Sequence, residues 1–287
     1  MSYDLDIEFE SPIEKTEFWN FLQSRKHYFI DSDDFGYQND QTGVYFTIFT
    51  DYDGNDEEDR NYENKNEIIS VLCNINYCRP SFFAVEMARE ITALLARFPG
   101  CIDDPQMDGM GSGPYTPAGL LKGWNAGNIA AIHILSSRQD PFRYALPRAT
   151  LMRCWEWNDT LDARQKRLGD AKAIPKMSSF VLDEKILTAV IWVDGMPIML
   201  PRVDYVLMAR RQDDGATQVA CLSWADLVPV LLQAGHAQHD GFDVSHALAA
   251  DTTGALLASG QPFDPDRMCL LNADKVLDEE SVSAARA

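Results

Sequence analysis

The sequence predicts an α+β protein: an N-terminal ferredoxin-like α/β sandwich over residues 1–110, followed by a mainly antiparallel β-meander region with flanking helices. Three observations carry this. Residues 3–10 alternate apolar and acidic side chains with the two-residue period of a half-buried strand. Strand and helix patterns then follow as strand, helix, strands, helix, strand up to residue 110. Finally, residues 176–211 (KMSSFVLDEKILTAVIWVDGMPIMLPRVDYVLMARR) read as four short strands at about 177–183, 186–193, 196–200 and 203–210.

In the first segment Leu5, Ile7 and Phe9 fall on one side, and Asp4, Asp6, Glu8 and Glu10 on the other. Ser11-Pro12-Ile13-Glu14 follows with the pattern of a capping box, serine at the N-cap, proline at the first helical position and glutamate at the third. It predicts a helix to about Lys26 that buries Ile13, Phe18, Phe21 and Leu22. Residues 27–30 read as a short strand and 31–41 as a polar connection. Residues 43–50 and 67–77 read as an antiparallel pair joined by the acidic loop 51–66. A second helix opens at Arg79-Pro80, reaches Arg97 and stops at Pro99-Gly100, and Cys101-Ile102 begins another strand.

Residues 107–117 are rich in glycine and proline and mark the expected domain boundary. Residues 111–137 read as a helical connector in two pieces, interrupted at Gly123 and Gly127. The second domain, 138–274, is an antiparallel sheet with helices, in which 149–157 reads as a strand and 159–168 as a short charged helix. In the four-strand block Val190, Ile191, Trp192, Tyr205 and Val206 supply β-branched and aromatic bulk. Asp183-Glu184-Lys185 and Asp194-Gly195 are its turns, and Pro197 and Pro201 belong at strand starts, edges or bulges. Residues 217–222 add a strand, and Ser223-Trp224-Ala225-Asp226 caps a helix carrying Leu227, Val230, Leu231 and Leu232. From His236 the pattern loosens, with a short helix at 244–250 and a flexible tail at 275–287.

A chain of 287 residues suffices for one large or two ordinary domains. No apolar run approaches the roughly 20 residues needed to cross a bilayer, and the acidic start differs from a secretory leader, so a cytoplasmic protein is expected. The six cysteines are scattered through mostly apolar runs, which fits reduced thiols better than a disulfide or metal framework. The charge says more. The formal net is −19, and residues 1–115 hold 23 Asp and Glu against 8 Lys and Arg, the remainder 21 against 17. Such a field repels nucleic acid and anionic lipid and speeds encounter with a basic partner. An acidic surface that serves solubility alone is the plain alternative.

Residue patterns for chemistry are weak. The loop from Asp51 offers oxygen ligands, but an EF-hand needs glycine sixth and glutamate twelfth, and here glycine is fourth and Tyr62 twelfth. A solvated hairpin loop or an anionic docking surface fits better than a metal site. His236, His239, Asp240 and His246 lack the four-residue spacing and glutamate of a zincin helix, and read as a mobile loop. Gly109-Met110-Gly111-Ser112-Gly113 lacks the Lys-Ser/Thr pair of a P-loop and fails the nucleophile-elbow pattern. Trp155 and Trp157, two apart on an expected strand, share a face and read as packing residues. No catalytic residues and no cofactor site are expected.

Taken together, residues 3–10 with the cap at 11–14, the loop DYDGNDEED at 51–59, and the block TAVIWVDGMPIMLPRVDYVLMAR at 188–210 resemble an immunity protein of a bacterial interbacterial (polymorphic) toxin system. The resemblance implies an acidic, non-catalytic protein that occludes a basic, nucleotide- or nucleic-acid-directed toxin domain, with carboxylates standing in for phosphates in its cleft. The partner-binding residues expected are Asp31, Asp33, Asp34, Asp51, Tyr52, Asp53, Asp56, Glu57, Glu58 and Asp59. Tyr37, Tyr45, Tyr52 and Tyr62 are the candidate aromatic anchors. Neither nucleic acid nor membrane is expected as a partner. A small-molecule-processing enzyme with a site at the domain junction near residues 109–116 is the alternative, and an adaptor module with an exposed apolar strip a third.

Overall fold

The computed structural model describes residues 1–31, 34–50, 66–136, 144–212, 214–238 and 241–287, with the backbone alone at Asp31. The chain forms two compact units, Met1–Arg148 with Leu277–Ala287, and Ala149–Val276. The division therefore falls after residue 148, where the sequence placed it near 110. Helices and mostly antiparallel sheets make this an α+β protein. No helix among the described residues is long and apolar enough to cross a membrane.

The first unit runs β1 (Ser2–Glu14), α1 (Lys15–Ser24), β2 (Tyr28–Asp31), β3 (Asp34–Asn39), β4 (Val44–Phe49), β5 (Glu67–Asn76), α2 (Phe82–Arg97), β6 (Gly100–Asp104), β7 (Gly111–Gly113), α3 (Pro117–Ser136) and β8 (Ala145–Leu146). Seven of these strands form one sheet in the order β2-β3-β4-β5-β1-β6-β7, with every neighbouring pair antiparallel. The ferredoxin-like sandwich is not confirmed. One cause is β3, expected as a polar connection: Phe35, Tyr37 and Asn39 turn inward and are buried, a period hidden by the polar residues between them.

Tyr3, Leu5, Ile7 and Phe9 are buried on the inner face of β1. Phe9 meets Phe18 of α1 at 6.1 Å between ring centroids, and Phe18 meets Phe35 at 5.8 Å. The expected capping box is not used. After a register shift β1 continues to Glu14, and Ile13 is buried opposite Ile68. Burial of Ile13 in the sheet outweighs the local cap, and Pro12 sits at the irregularity where no ladder donor is needed. Helix α3 is continuous, because its glycines are places of close approach. A Cβ on Gly123 would lie 3.1 Å from the Gly109 Cα and from Tyr3 Oη, and one on Gly127 would overlap the Tyr77 phenol. Residues 111–137 thus belong to the first unit, and Gly111-Ser112-Gly113 is a sheet strand with two left-handed glycines (φ +66° and +143°).

The second unit runs α4 (Arg148–Asp159), α5 (Leu161–Leu168), β9 (Ser178–Leu182), β10 (Lys185–Val193), β11 (Ile198–Pro201), β12 (Tyr205–Arg211), β13 (Thr217–Ser223), α6 (Trp224–Gln233), β14 (Ala237–Gln238), β15 (Gly241–Val244), α7 (Ala250–Ser259), β16 (Gln261–Pro262) and β17 (Met268–Leu271). The four expected strands exist, but they do not form a meander. Strands β10 and β12 pair in parallel, because β11 leaves the sheet to pair with β15. The main sheet has the order β16-β13-β12-β10-β9-β17. Asp183 and Glu184 form a two-residue hairpin turn with φ +49° and +68°, held by Arg267, which donates to both Asp183 oxygens at 2.7 Å. Ser223 caps α6, accepting from the Asp226 N–H at 3.2 Å.

Residues 149–157 are helical, which corrects the expected strand. Leu151, Cys154 and Asn158 recur at helical spacing, and the buried Asn158 accepts from Met177 N at 2.9 Å and donates to its carbonyl at 2.8 Å. Trp155 and Trp157 therefore do not share a face, and Trp157 Nε1 donates to Pro175 O at 2.8 Å. The short helix expected at 244–250 is replaced by α7.

The chain ends in the first unit with β18 (Leu277–Asp278), parallel to β8, and α8 (Glu279–Arg286). This corrects the expected flexible tail. Leu277, Val282 and Ala285 pack with Ile132 of α3. The fully buried Asp278 accepts from the Ser81 N–H at 2.9 Å and the Ser81 hydroxyl at 3.0 Å just before α2, with Arg148 Nε 3.6 Å away. Removing this carboxylate leaves buried donors unsatisfied. Asp278→Ala is expected to destabilise the first unit by about 1–3 kcal/mol, read as an earlier urea-unfolding midpoint. Deletion of residues 277–287 should cost more than the point change.

Candidate functional site

The acidic residues of the first unit are ordered by its central strand. Residues directly opposite each other in neighbouring antiparallel strands lie on the same face. On the face away from Tyr3, Leu5 and Ile7, Asp4, Asp6 and Glu8 of β1 stand opposite Asn74, Leu72 and Ser70 of β5. On the other edge of β1, Asp6 is opposite Asp103 and Glu8 opposite Cys101. Ser112 of β7 stands opposite Asp103. Four carboxylates, Asp4, Asp6, Glu8 and Asp103, thus fill adjoining positions on one face. Glu8 and Asp103 are exposed, Asp4 and Asp6 half-buried.

Their hydrogen bonds come from neutral donors. Asn74 Nδ2 and Ser2 Oγ donate to Asp4, the latter at 3.3 Å, and Ser112 Oγ donates to Asp103 at 2.6 Å. Among the described residues no lysine or arginine pairs with any of the four. Burial first, then the charges of Asp103 and Asp4, raise the carboxyl pKa of Asp6 above its ordinary value. The sheet accordingly holds like charges directly opposed, an arrangement that costs stability.

Of the ten expected partner-binding residues, Asp31 and Asp34 fall within the described residues. They pair at the tip of the β2–β3 hairpin, and Asp34 is half-buried. Glu14 and Glu67, opposite each other in β1 and β5, lie at this same end of the sheet. So do Thr50 and Asn66, which flank residues 51–65. Asp33, Asp51, Tyr52, Asp53, Asp56, Glu57, Glu58 and Asp59 lie outside the described residues, as does Tyr62. Tyr37 is corrected as an anchor: it is buried, stacks on Phe46 at 4.5 Å, and donates to Glu86 at 2.7 Å. Tyr45 is half-buried and accepts from Arg79 Nε at 2.9 Å.

Further carboxylates, Asp104, Glu86 and Glu90, lie inside the fold. Asp104 accepts from Tyr3 Oη and from the N–H groups of Gln106 (3.1 Å) and Met110 (2.9 Å), clasping the β6–β7 connection. Burial and this hydrogen bond raise the Tyr3 phenol far above its ordinary value. Glu86, fully buried, takes the Tyr37 hydroxyl and Asn39 Nδ2 at 2.7 Å each, and Glu90 accepts from Arg25 Nε at 2.8 Å. Their neutral and cationic donors satisfy these groups internally, which suits positioning of strands and helices. Sequence reading missed Asp103 as a member of the acidic face. Its partner Asp6 is far away in sequence, and only the β1–β6 register brings the two together.

No protein-family model matches the chain, and no curated protein or solved structure matches it either.

The raised pKa of Asp6 has a definite sign. The penalty on its charged form is present above the folded-state pKa and vanishes below the unfolded value, near 4 for an aspartate. Asp6→Asn is therefore expected to stabilise the protein at pH 7 by about 0.2–1 kcal/mol. The gain should shrink as the pH approaches roughly 4. Urea unfolding at the two pH values checks this, and a variant less stable than the parent at pH 7 contradicts it.

Proposed function

We propose that this chain is a cytoplasmic, non-catalytic binding protein that occludes a basic enzyme domain, as an immunity protein does its toxin. The observation that carries the reading is the carboxylate row of Asp4, Asp6, Glu8 and Asp103, laid side by side on one face of the first sheet, with no lysine or arginine paired to it among the described residues. A cationic cleft built to handle phosphates is complementary to such a row, and neutralising it would relieve the Asp6–Asp103 repulsion on binding. Asp34, at the tip of the β2–β3 hairpin, adds a further carboxylate to this unit. Long-range attraction of this kind raises association rates toward about 10⁸–10⁹ M⁻¹s⁻¹ at low salt, against roughly 10⁵–10⁶ without steering. Screening shortens its reach to about 8 Å at physiological ionic strength.

The test screens the proteins encoded next to this chain for a basic enzyme domain and measures its stopped-flow association across ionic strength; finding no such binder overturns the reading. The on-rate is expected to fall steeply with salt, and in a Asp6→Asn/Glu8→Gln/Asp103→Asn variant at low salt, while the enzyme's activity is inhibited in the complex. Association that ignores salt and the triple change, or no inhibition at saturating chain, overturns the reading.

A further inference from the structure

We propose that His236 and His246, in the second unit, form a binding site for a first-row transition-metal ion that prefers imidazole, with Zn²⁺ as its representative. The reading of this stretch as a loose loop does not hold at His236. Its N–H donates to Leu231 O at 3.0 Å, directly after α6, and the residue is only 4% exposed. Both ring nitrogens are buried without a hydrogen-bond partner. A neutral imidazole carries one donor and one acceptor, and leaving them unmet in the interior costs stability. Such a group is rare in a folded chain and calls for an explanation.

The ring that lies against it is another imidazole. His246 is on the surface, with its ring centroid 4.5 Å from that of His236 and the planes inclined by 39°. Two imidazoles that ligate one ion tetrahedrally with Zn–N bonds of about 2.0–2.1 Å place their centroids roughly 5 Å apart, so a small shift of the exposed His246 ring brings the pair to ligating distance. The Ser245 hydroxyl lies 3.3 Å from His246 Nδ1 and engages that nitrogen, which leaves Nε2 for a ligand. A polar partner on the far nitrogen is the usual means of orienting a ligating histidine.

Asp243, on β15, has its oxygens held by Lys172 Nζ at 2.5 and 2.7 Å, so it serves the ion pair and is no ligand. Among the described residues no third His, Cys, Asp or Glu completes a ligand set. The remaining coordination positions fall to water, and the ion is exchangeable through the exposed His246 side. This is an open site of modest affinity, unlike a closed structural zinc centre.

The experiment is isothermal titration of the EDTA-treated full chain with Zn²⁺, supported by the visible absorption of Co²⁺ as a coordination readout. One site is expected in the parent. His246→Gln, a surface change that leaves the core intact, should weaken it at least about tenfold and abolish the Co²⁺ signal. His236→Gln should do the same. His133→Gln, whose ring is engaged with Ala285 O at 2.6 Å, should leave binding unchanged. Parent affinity retained in His246→Gln, or no binding by the parent, overturns the proposal.

Discussion

Strand β1 lies fifth in a sheet of seven, hydrogen-bonded along one edge to β5 and along the other to β6. With both edges occupied, its side chains have only two directions to go, and a strict two-residue alternation divides them. Tyr3, Leu5, Ile7 and Phe9 meet α1 and the inner rings. The acidic residues between them are left together on the opposite face. The charge on that face is thus a geometric result of one strand's pattern and its central place. A one-residue slip would bury four carboxylates and expose the core, so the register is held by a penalty far larger than any single hydrogen bond.

The carboxylates of this unit fall into two kinds, separated by what surrounds them. Asp104, Asp278 and Glu86 are buried and each takes a donor from a distant segment: Tyr3 of β1, Ser81 just before α2, or Tyr37 of β3. They join pieces of the fold. Among the described residues Asp4, Asp6, Glu8 and Asp103 take only neutral donors or none, and Asp6 directly opposes Asp103. Composition cannot distinguish the two kinds. The negative sum is the same whether a carboxylate ties a loop or faces outward.

Much of the first unit was legible because its local patterns agree with its tertiary packing. The alternation of β1, the β4–β5 pair and the run of α2 are all carried by apolar periodicity. What failed did so for identifiable physical reasons. The capping box at Ser11–Glu14 is a sound local signal that lost to burial of Ile13 beside Ile68. Gly123 and Gly127 look like helix breakers, yet they are what lets α3 approach Tyr3 and Tyr77. In the second unit the strands were visible but not their partners, since a hairpin and a parallel crossover have the same local composition. Asp194-Gly195 begins the crossover through β11, and only the β10–β12 register distinguishes it from a hairpin. For the acidic site, the contribution of β1 was readable and that of Asp103 was not, because cross-strand pairing is information the linear sequence does not hold.

The first unit is assembled from two stretches of chain separated by residues 149–276. During synthesis the ribosome delivers the sheet early, at about 5–20 residues per second, but Leu277 and Asp278 emerge only after residues 149–276. Until then Ser81 lacks its acceptor and Ile132 its cover, while the intervening unit already has every residue it needs to mature. The order of translation therefore makes the inserted unit the first to finish. The part that bears the acidic face is completed only once residues 277–287 have followed the inserted unit, and it is this part that a chaperone would have to shelter in the interval.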